Sequence, residues 1–189
     1  MYEVCTIEDK VRVPPESLGQ NKKEAIKKAL AEKFENKIVY DVQGVVLGIM
    51  EIVKVGQGRL IVDDPCIHYP VKFKALVFKP LLNEVVQGQV VDITEFGIFV
   101  RFGPIDALCH ISQITNEYLS YDRKNVTLFA RESKRSLKIG HIVRARIIGV
   151  SMKRGENNKI LLTMRQPGLG PLEWIIQERQ EKEKKEKKK

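Results

Sequence analysis

The apolar residues of this chain fall into short runs rich in valine and isoleucine, each stopped by glycine, proline or an acidic turn. Runs of that length and composition make strands. They cover 1–13, 38–40, 45–55, 59–62 and 71–78, then 85–93, 97–102, 107–111, 142–150 and 160–164. One long segment breaks the habit. Asn21 can cap a helix, Glu24 stands three residues on, and Ala25, Ile26, Ala29, Leu30 and Phe34 share one stripe. A helix with a single apolar stripe has to lie on a sheet, so the first part is expected to be a twisted antiparallel sheet, a truncated barrel, wrapped on one helix. Pro14-Pro15 ends the first strand, since proline gives no donor to a ladder. Turns are expected at 56–58 and 63–65, and a hinge at 79–83.

The second part has five short strands, which suit a small closed barrel of the OB type. The stretch 113–137 is long for a loop, so it should carry structure of its own, an inserted hairpin of 118–121 and 126–130 around a turn at 122–125. Pro171, at a permitted first-turn position, starts a terminal helix to about 177. The Glu/Lys run beyond it has nothing apolar to bury and is expected to be frayed. The fold class is therefore α+β and mostly β, with domains at 1–80 and 81–170 and a short helix with a charged, disordered tail at 171–189.

Composition narrows the function. Of 189 residues 43% are hydrophobic and 30% charged, enough for a core. The longest apolar stretch, around 44–49, stops at Glu51 and Lys54, far short of the roughly 18 residues of a membrane span. The start lacks a basic-then-apolar leader. Cys5, Cys66 and Cys109 form no CxxC pair, which argues against a disulfide framework or zinc ribbon and for a reducing, cytoplasmic compartment. Net charge is +9, shared as +2 over 1–80, +4 over 81–176 and +3 over 177–189, a balance that favours a polyanionic partner. No HExxH, GxSxG, Walker A or GxGxxG motif occurs, and His68, His110 and His141 are too scattered to propose a metal site. Asp63-Asp64 before Pro65 reads as a turn rather than a cation site. The chain by itself is not expected to be an enzyme or to need a cofactor.

The informative segment is 88–112, G-Q-V-V-D-I-T-E-F-G-I-F-V-R-F-G-P-I-D-A-L-C-H-I-S. Strict alternation would send Phe96 and Phe99 to opposite faces, but a bulge or bend at Gly97 can bring both rings together. With Arg101 and His110 on neighbouring strands they would form a stacking platform for unpaired bases. Phe102 reads as core. Arg144, Arg146, Lys153, Arg154 and Lys159 are the further basic candidates for phosphate.

This segment resembles the RNA-binding OB-fold domain of the ribosomal protein S-one type. Gly88, Val90, Phe96, Gly97, Phe99, Val100, His110 and Ser112 match its pattern, while Ala107-Leu108-Cys109-His110 stands where that family favours G-L-V-H. The resemblance implies that Phe96, Phe99 and His110 lie on the nucleic-acid face, with basic or polar residues near the hairpin 151–159. More widely, Tyr2-Glu-Val, 9–15, the helix, Val55-Gly-Gln-Gly58, 72–80, Glu84-Val-Val-x-Gly88, Arg144-Ala-Arg-Ile and 162–170 resemble the large stalk subunits of DNA-directed RNA polymerase. The version they resemble is called E-prime in archaea, counterpart of the seventh subunit of eukaryotic RNA polymerase II. Asp63-Asp64-Pro65 departs from a turn that is often Gly-Asp-Gly-like in relatives. The resemblance implies a tight heterodimer with a small helical subunit, called F in archaea. It also implies docking near the clamp of the polymerase core through the region of Gly56, Gly58, Asp63, Asp64 and Pro65, and contact with single-stranded nascent RNA. The competing readings are a free-standing RNA-binding or translation-associated factor using the same OB domain, and an RNA-processing enzyme.

Overall fold

The computed structural model describes residues 1–17, 19, 21–153, 159–177 and 180. The chain divides into two units between Pro80 and Leu81.

The first unit contains β1 (Tyr2–Val13), α1 (Lys22–Phe34), β2 (Ile38–Val39), β3 (Gly44–Val55), β4 (Arg59–Ile61) and β5 (Asp64–Phe78). Its strand order is β1-β5-β3-β2, with β4 also on β5. The Asn21 side chain caps α1 by accepting from the Lys23 amide at 3.1 Å. Ala25, Ile26, Leu30 and Phe34 are buried against Val11, Val13, Val46, Phe73, Ala75 and Val77, and the Phe34 and Phe73 rings lie 5.2 Å apart. Each such large side chain contributes about 1.5–3 kcal/mol by leaving water. Three register shifts along the β3–β5 ladder add twist, which lets the sheet curl around the helix.

One strand is longer than its sequence pattern. The expected strand at 71–78 starts instead at Asp64 and runs through Pro65 and Pro70. Pro70 lies where β3 has ended, at Val55↔Val71, and β4 has not begun, at Arg59↔His68. Its carbonyl accepts from the Gly56 amide on that side at 2.8 Å, so the missing N–H faces the same gap and no ladder bond is lost.

The second unit contains β6 (Val85–Thr94), β7 (Gly97–Phe102), β8 (Ile105–His110), β9 (Leu119–Asp122), β10 (Thr127–Ala130), β11 (Ser136–Leu137), β12 (Ile142–Ser151), β13 (Lys159–Thr163) and β14 (Gly170–Pro171). The order β13-β8-β7-β6-β12 closes into a five-stranded barrel through the β12–β13 pairing, the OB arrangement expected. Val90, Ile98, Val100, Phe102, Ala145, Ile147 and Leu162 fill it. Cys109 is core as well, and burial pushes its thiol up to about 12. The inserted hairpin is present as β9 and β10, and β11 makes it a three-stranded sheet. Asp122 holds the hairpin turn by accepting from the Lys124 amide and the Asn125 side chain. Pro171 belongs to β14 on β12, and the terminal helix follows over 172–177. Apart from Gln180, the charged tail lies outside the described residues.

Candidate nucleic-acid interface

In β7 the side chains of Ile98, Val100 and Phe102 point inward, which leaves Phe99 and Arg101 outside. In β8, Ala107 and Cys109 point inward, and Asp106, Leu108 and His110 outward. The register sets Gly97 opposite His110, Phe99 opposite Leu108 and Arg101 opposite Asp106, while Leu108 pairs with Leu161 of β13. The outer face is thus built in rows. His110 is at one end, Phe99, Leu108 and Leu161 form the middle, and Arg101, Asp106 and Lys159 lie beyond.

Phe96 joins the first row from a turn. Thr94 pairs with Gly97, so Glu95 and Phe96 are the two-residue connection of a tight hairpin, which the Thr94 hydroxyl closes by donating to the Gly97 carbonyl at 2.9 Å. The Phe96 carbonyl in turn accepts from the Ile111 amide at 2.9 Å. The Phe96 and Phe99 rings meet edge to face, centroids 6.2 Å apart and planes at 87°. Phe96 is 46% exposed and Phe99 half-buried. The expected convergence of the rings is present, but its cause differs from the bend anticipated at Gly97. Phe96 escapes strand alternation because it is in the turn, and the register shift is in β6, between Val90 and Asp92. Gly97 has a separate role, since a Cβ there would strike the Cys109 carbonyl oxygen as β8 passes.

Around the rings, polar groups are already engaged. The Arg101 guanidinium donates through Nε and Nη2 to both Asp106 carboxylate oxygens, at 2.7 and 2.9 Å. That fork holds the Asp106 carboxyl below its ordinary range. The Ser112 amide donates to His110 Nδ1 at 3.3 Å, and the Ser112 hydroxyl lies 2.8 Å from the same nitrogen. A neutral His110 therefore carries its proton on Nε2. Arg123 pairs with Glu95 at 3.0 Å.

The structure brings Phe96, Phe99, Arg101, His110 and Lys159 onto one face. Lys153 is exposed past the end of β12, and Arg154 lies outside the described residues. Arg144 and Arg146 are not part of that face. They point outward from β12, opposite Gln87 and Val85 of β6, and Arg146 Nη1 donates to the Asn83 carbonyl at 3.1 Å, fastening the chain's entry into the barrel. Leu108 and Leu161 are additions: their outward direction follows from the alternation of β8 and from the parallel pairing with β13, and only the alternation is visible in sequence.

In the first unit, Gly58 packs so closely that a Cβ would strike Tyr69 and Ile67. Asp63 takes φ 66° in the tip turn. Asp64, read from sequence as part of a docking tip, is engaged by its own neighbours and only partly exposed. It accepts from the Cys66 amide at 3.0 Å and from Arg12 at 2.9 Å, and meets His68 Nε2 at 2.7 Å. The Cys66 amide first, then His68 and Arg12, hold its carboxyl well below the usual range. What the tip offers outward is Leu60, Ile61 and Val62, the last 88% exposed, beside Asp63 and Pro65. Among the described residues no group of His, Cys, Asp and Glu is placed to hold a metal ion, and no helix is long and apolar enough to cross a membrane.

Two family models match. The S1 RNA binding domain covers residues 79–158, and the SHS2 domain found in the N terminus of Rpb7p/Rpc25p/MJ0397 covers residues 8–65. Similar over nearly the whole length is DNA-directed RNA polymerase subunit Rpo7 of Sulfolobus acidocaldarius, 40% identical over 94% of this chain and 97% of that one. Rpo7 of Saccharolobus shibatae is 39% identical over 94% of this chain and 98% of its own. DNA-directed RNA polymerase III subunit RPC8 of Saccharomyces cerevisiae is 37% identical over 53% of this chain and 47% of its own.

Proposed function

Because the chain belongs to the family of DNA-directed RNA polymerase subunit Rpo7, we propose that it is a non-catalytic stalk subunit whose second unit holds emerging single-stranded RNA. The observation that carries this reading is the outward-facing Phe96–Phe99 pair, with His110 beside it and Arg101 on the next row. Stacking contributes about 1–3 kcal/mol per base with little preference for sequence. A few such contacts, with phosphates met by Lys153, Arg154 and Lys159, give a grip modest enough for transcript to slide through.

The first unit serves assembly. Leu60, Ile61 and Val62, with Asp63 and Pro65, form the surface that docks on the polymerase core near the clamp and the RNA exit channel. Tyr2, Val4 and Met50 stand exposed on the sheet, an apolar face suited to the small helical protein that completes the stalk. Nucleotidyl transfer belongs to the core enzyme, and the complex works in the cytoplasm. The test is recovery of the tagged chain from cells with whatever accompanies it. Wild type brings the polymerase core and a small helical protein, and Leu60→Ser with Val62→Ser loses the core while RNA affinity is kept. A chain that comes out with ribosomes or alone is a free-standing RNA-binding factor, and the assembly reading then falls.

A further inference from the structure

A basic groove of about 650 Å³ lies in the second unit between the segment following β10 and the terminal helix. It shares no residue with the Phe96–Phe99 face. Lys134, Arg135, Lys138 and His141 line one side and Trp174 the other, with the Arg135 guanidinium 5.9 Å from the indole centroid. Among the described residues, Glu173 is the one acid in the lining, and neither Lys134 nor Lys138 is in an ion pair. Ser133 and His141 also belong to the lining, and behind it the Ser133 hydroxyl and His141 Nδ1 are buried without a hydrogen-bond partner among the described residues. Buried polar atoms are ordinarily paired. Ammonium groups without an ion pair and an aromatic wall together call for a ligand with anionic oxygens and a flat ring.

We infer that this groove is a second contact for single-stranded RNA, in which a nucleotide's phosphate meets Lys134, Lys138 and Arg135 while its base lies against Trp174. The inference rests on the reading that the chain binds RNA, and it lengthens the bound strand beyond the aromatic face. An acidic protein segment would satisfy the lysines and leave the indole unused, which is why a nucleotide is favoured. Trp174 lies beyond the residues matched by the S1 model, 79–158, so that domain does not account for it.

Trp174 is the only tryptophan in the chain, so its emission reports on this groove alone. The full chain is titrated with an oligouridylate of about 16 nucleotides, the upper site size of one OB fold. Emission is followed together with the anisotropy of labelled RNA. The expected result is an emission change in wild type that persists in Phe96→Ala with Phe99→Ala. In Lys134→Gln with Lys138→Gln the salt slope should fall by about 1.4, so that the advantage of wild type shrinks about sevenfold between 50 and 200 mM salt. RNA that binds with silent Trp174 emission and an unchanged slope in the lysine variant overturns the groove and leaves the aromatic face standing. Polyglutamate that shifts the emission where RNA does not overturns it in favour of an acidic protein partner. Wild type that binds no RNA in the anisotropy assay ends both readings.

Discussion

Removing the two phenylalanines separates stacking from folding. Phe96 sits in a turn and is 46% exposed, so Phe96→Ala costs the fold its edge contact with Phe99, about 0.5–1.5 kcal/mol, and the burial of the covered part of the ring, about 1 kcal/mol. Phe99→Ala empties a half-covered site on the outer face and should cost about 1–2 kcal/mol, below the 3–5 of a fully buried ring. For RNA, each ring lost should weaken binding by about 1–3 kcal/mol, or roughly 5- to 150-fold. The planes cross at 87°, so one base cannot lie flat on both, and the edge of one ring occupies part of the other's face. The two losses should therefore be less than additive by about the edge contact, leaving the double variant weaker by about 1.5–4.5 kcal/mol. Neither ring carries charge, so the salt slope should not move. Anisotropy of a labelled single strand across a salt series, with thermal melts of each variant, reads all of these quantities. A folded double variant with wild-type affinity at every salt concentration would refute the platform. A fall in affinity accompanied by a flatter slope would show that phosphate contacts, and not bases, had been lost.

Asp106→Asn should tighten RNA binding about three- to fivefold at 0.15 M salt and steepen the slope by about 0.7, because it releases the Arg101 guanidinium for phosphate. The exposed ion pair it removes is worth at most about 1 kcal/mol of stability, read by thermal denaturation. Gly97→Ala should destabilise the second unit by about 1–3 kcal/mol as its Cβ meets the Cys109 carbonyl, and its melting temperature should fall by about 4–8 °C per kcal/mol. Asp64 has a lowered pKa in the folded chain, so its stabilising contribution is complete above the unfolded value of about 4 and fades as pH falls toward the lower folded value. Asp64→Asn should therefore melt earlier than wild type at pH 7, with the gap closing below about pH 4. A gap that stays constant with pH would remove the carboxylate from the account.

The period of the apolar residues made most of the architecture legible. The stripe of α1, the alternation in β7 and β8, and the turn chemistry around 122–125 each point to one local structure. What the pattern missed depended on partners distant in sequence. Pro70 reads as a strand breaker until the gap between β3 and β4 removes the need for its donor. β11 is two residues long, too short to carry a period. Arg144 and Arg146 look like Lys159 in a sequence, yet β12 carries them off the face that holds Phe99, and a carbonyl in the entry segment engages Arg146. Asp64 looks like a free surface acid and is tied down by a backbone amide, an arginine and a histidine. Trp174 and Lys134 are forty residues apart and share a groove only because the terminal helix returns to the inserted sheet.

The placement of charge on the second unit bears on how it could hold a moving strand. Although the chain carries +9 overall, the rings have nearly neutral surroundings: Arg101 is matched by Asp106 and Arg123 by Glu95. Of the lysines with no ion pair among the described residues, Lys159 lies on the rings' face one row past Phe99, Lys153 lies past the end of β12, and Lys134 and Lys138 line the groove beside Trp174, so none is fixed over the rings themselves. A cation fixed directly over the rings would bind each passing phosphate in register with a stacked base, and both contacts would have to break together for the strand to advance. With the contacts apart, a base can leave Phe96 while a phosphate elsewhere stays bound, so each step along the strand breaks one weak contact at a time. Asp106→Asn tests this arrangement directly, because it places an unpaired guanidinium on the rings' own face. On this argument the variant's tighter binding should appear as slower dissociation of the strand, with association nearly unchanged, and faster association with unchanged dissociation would contradict it.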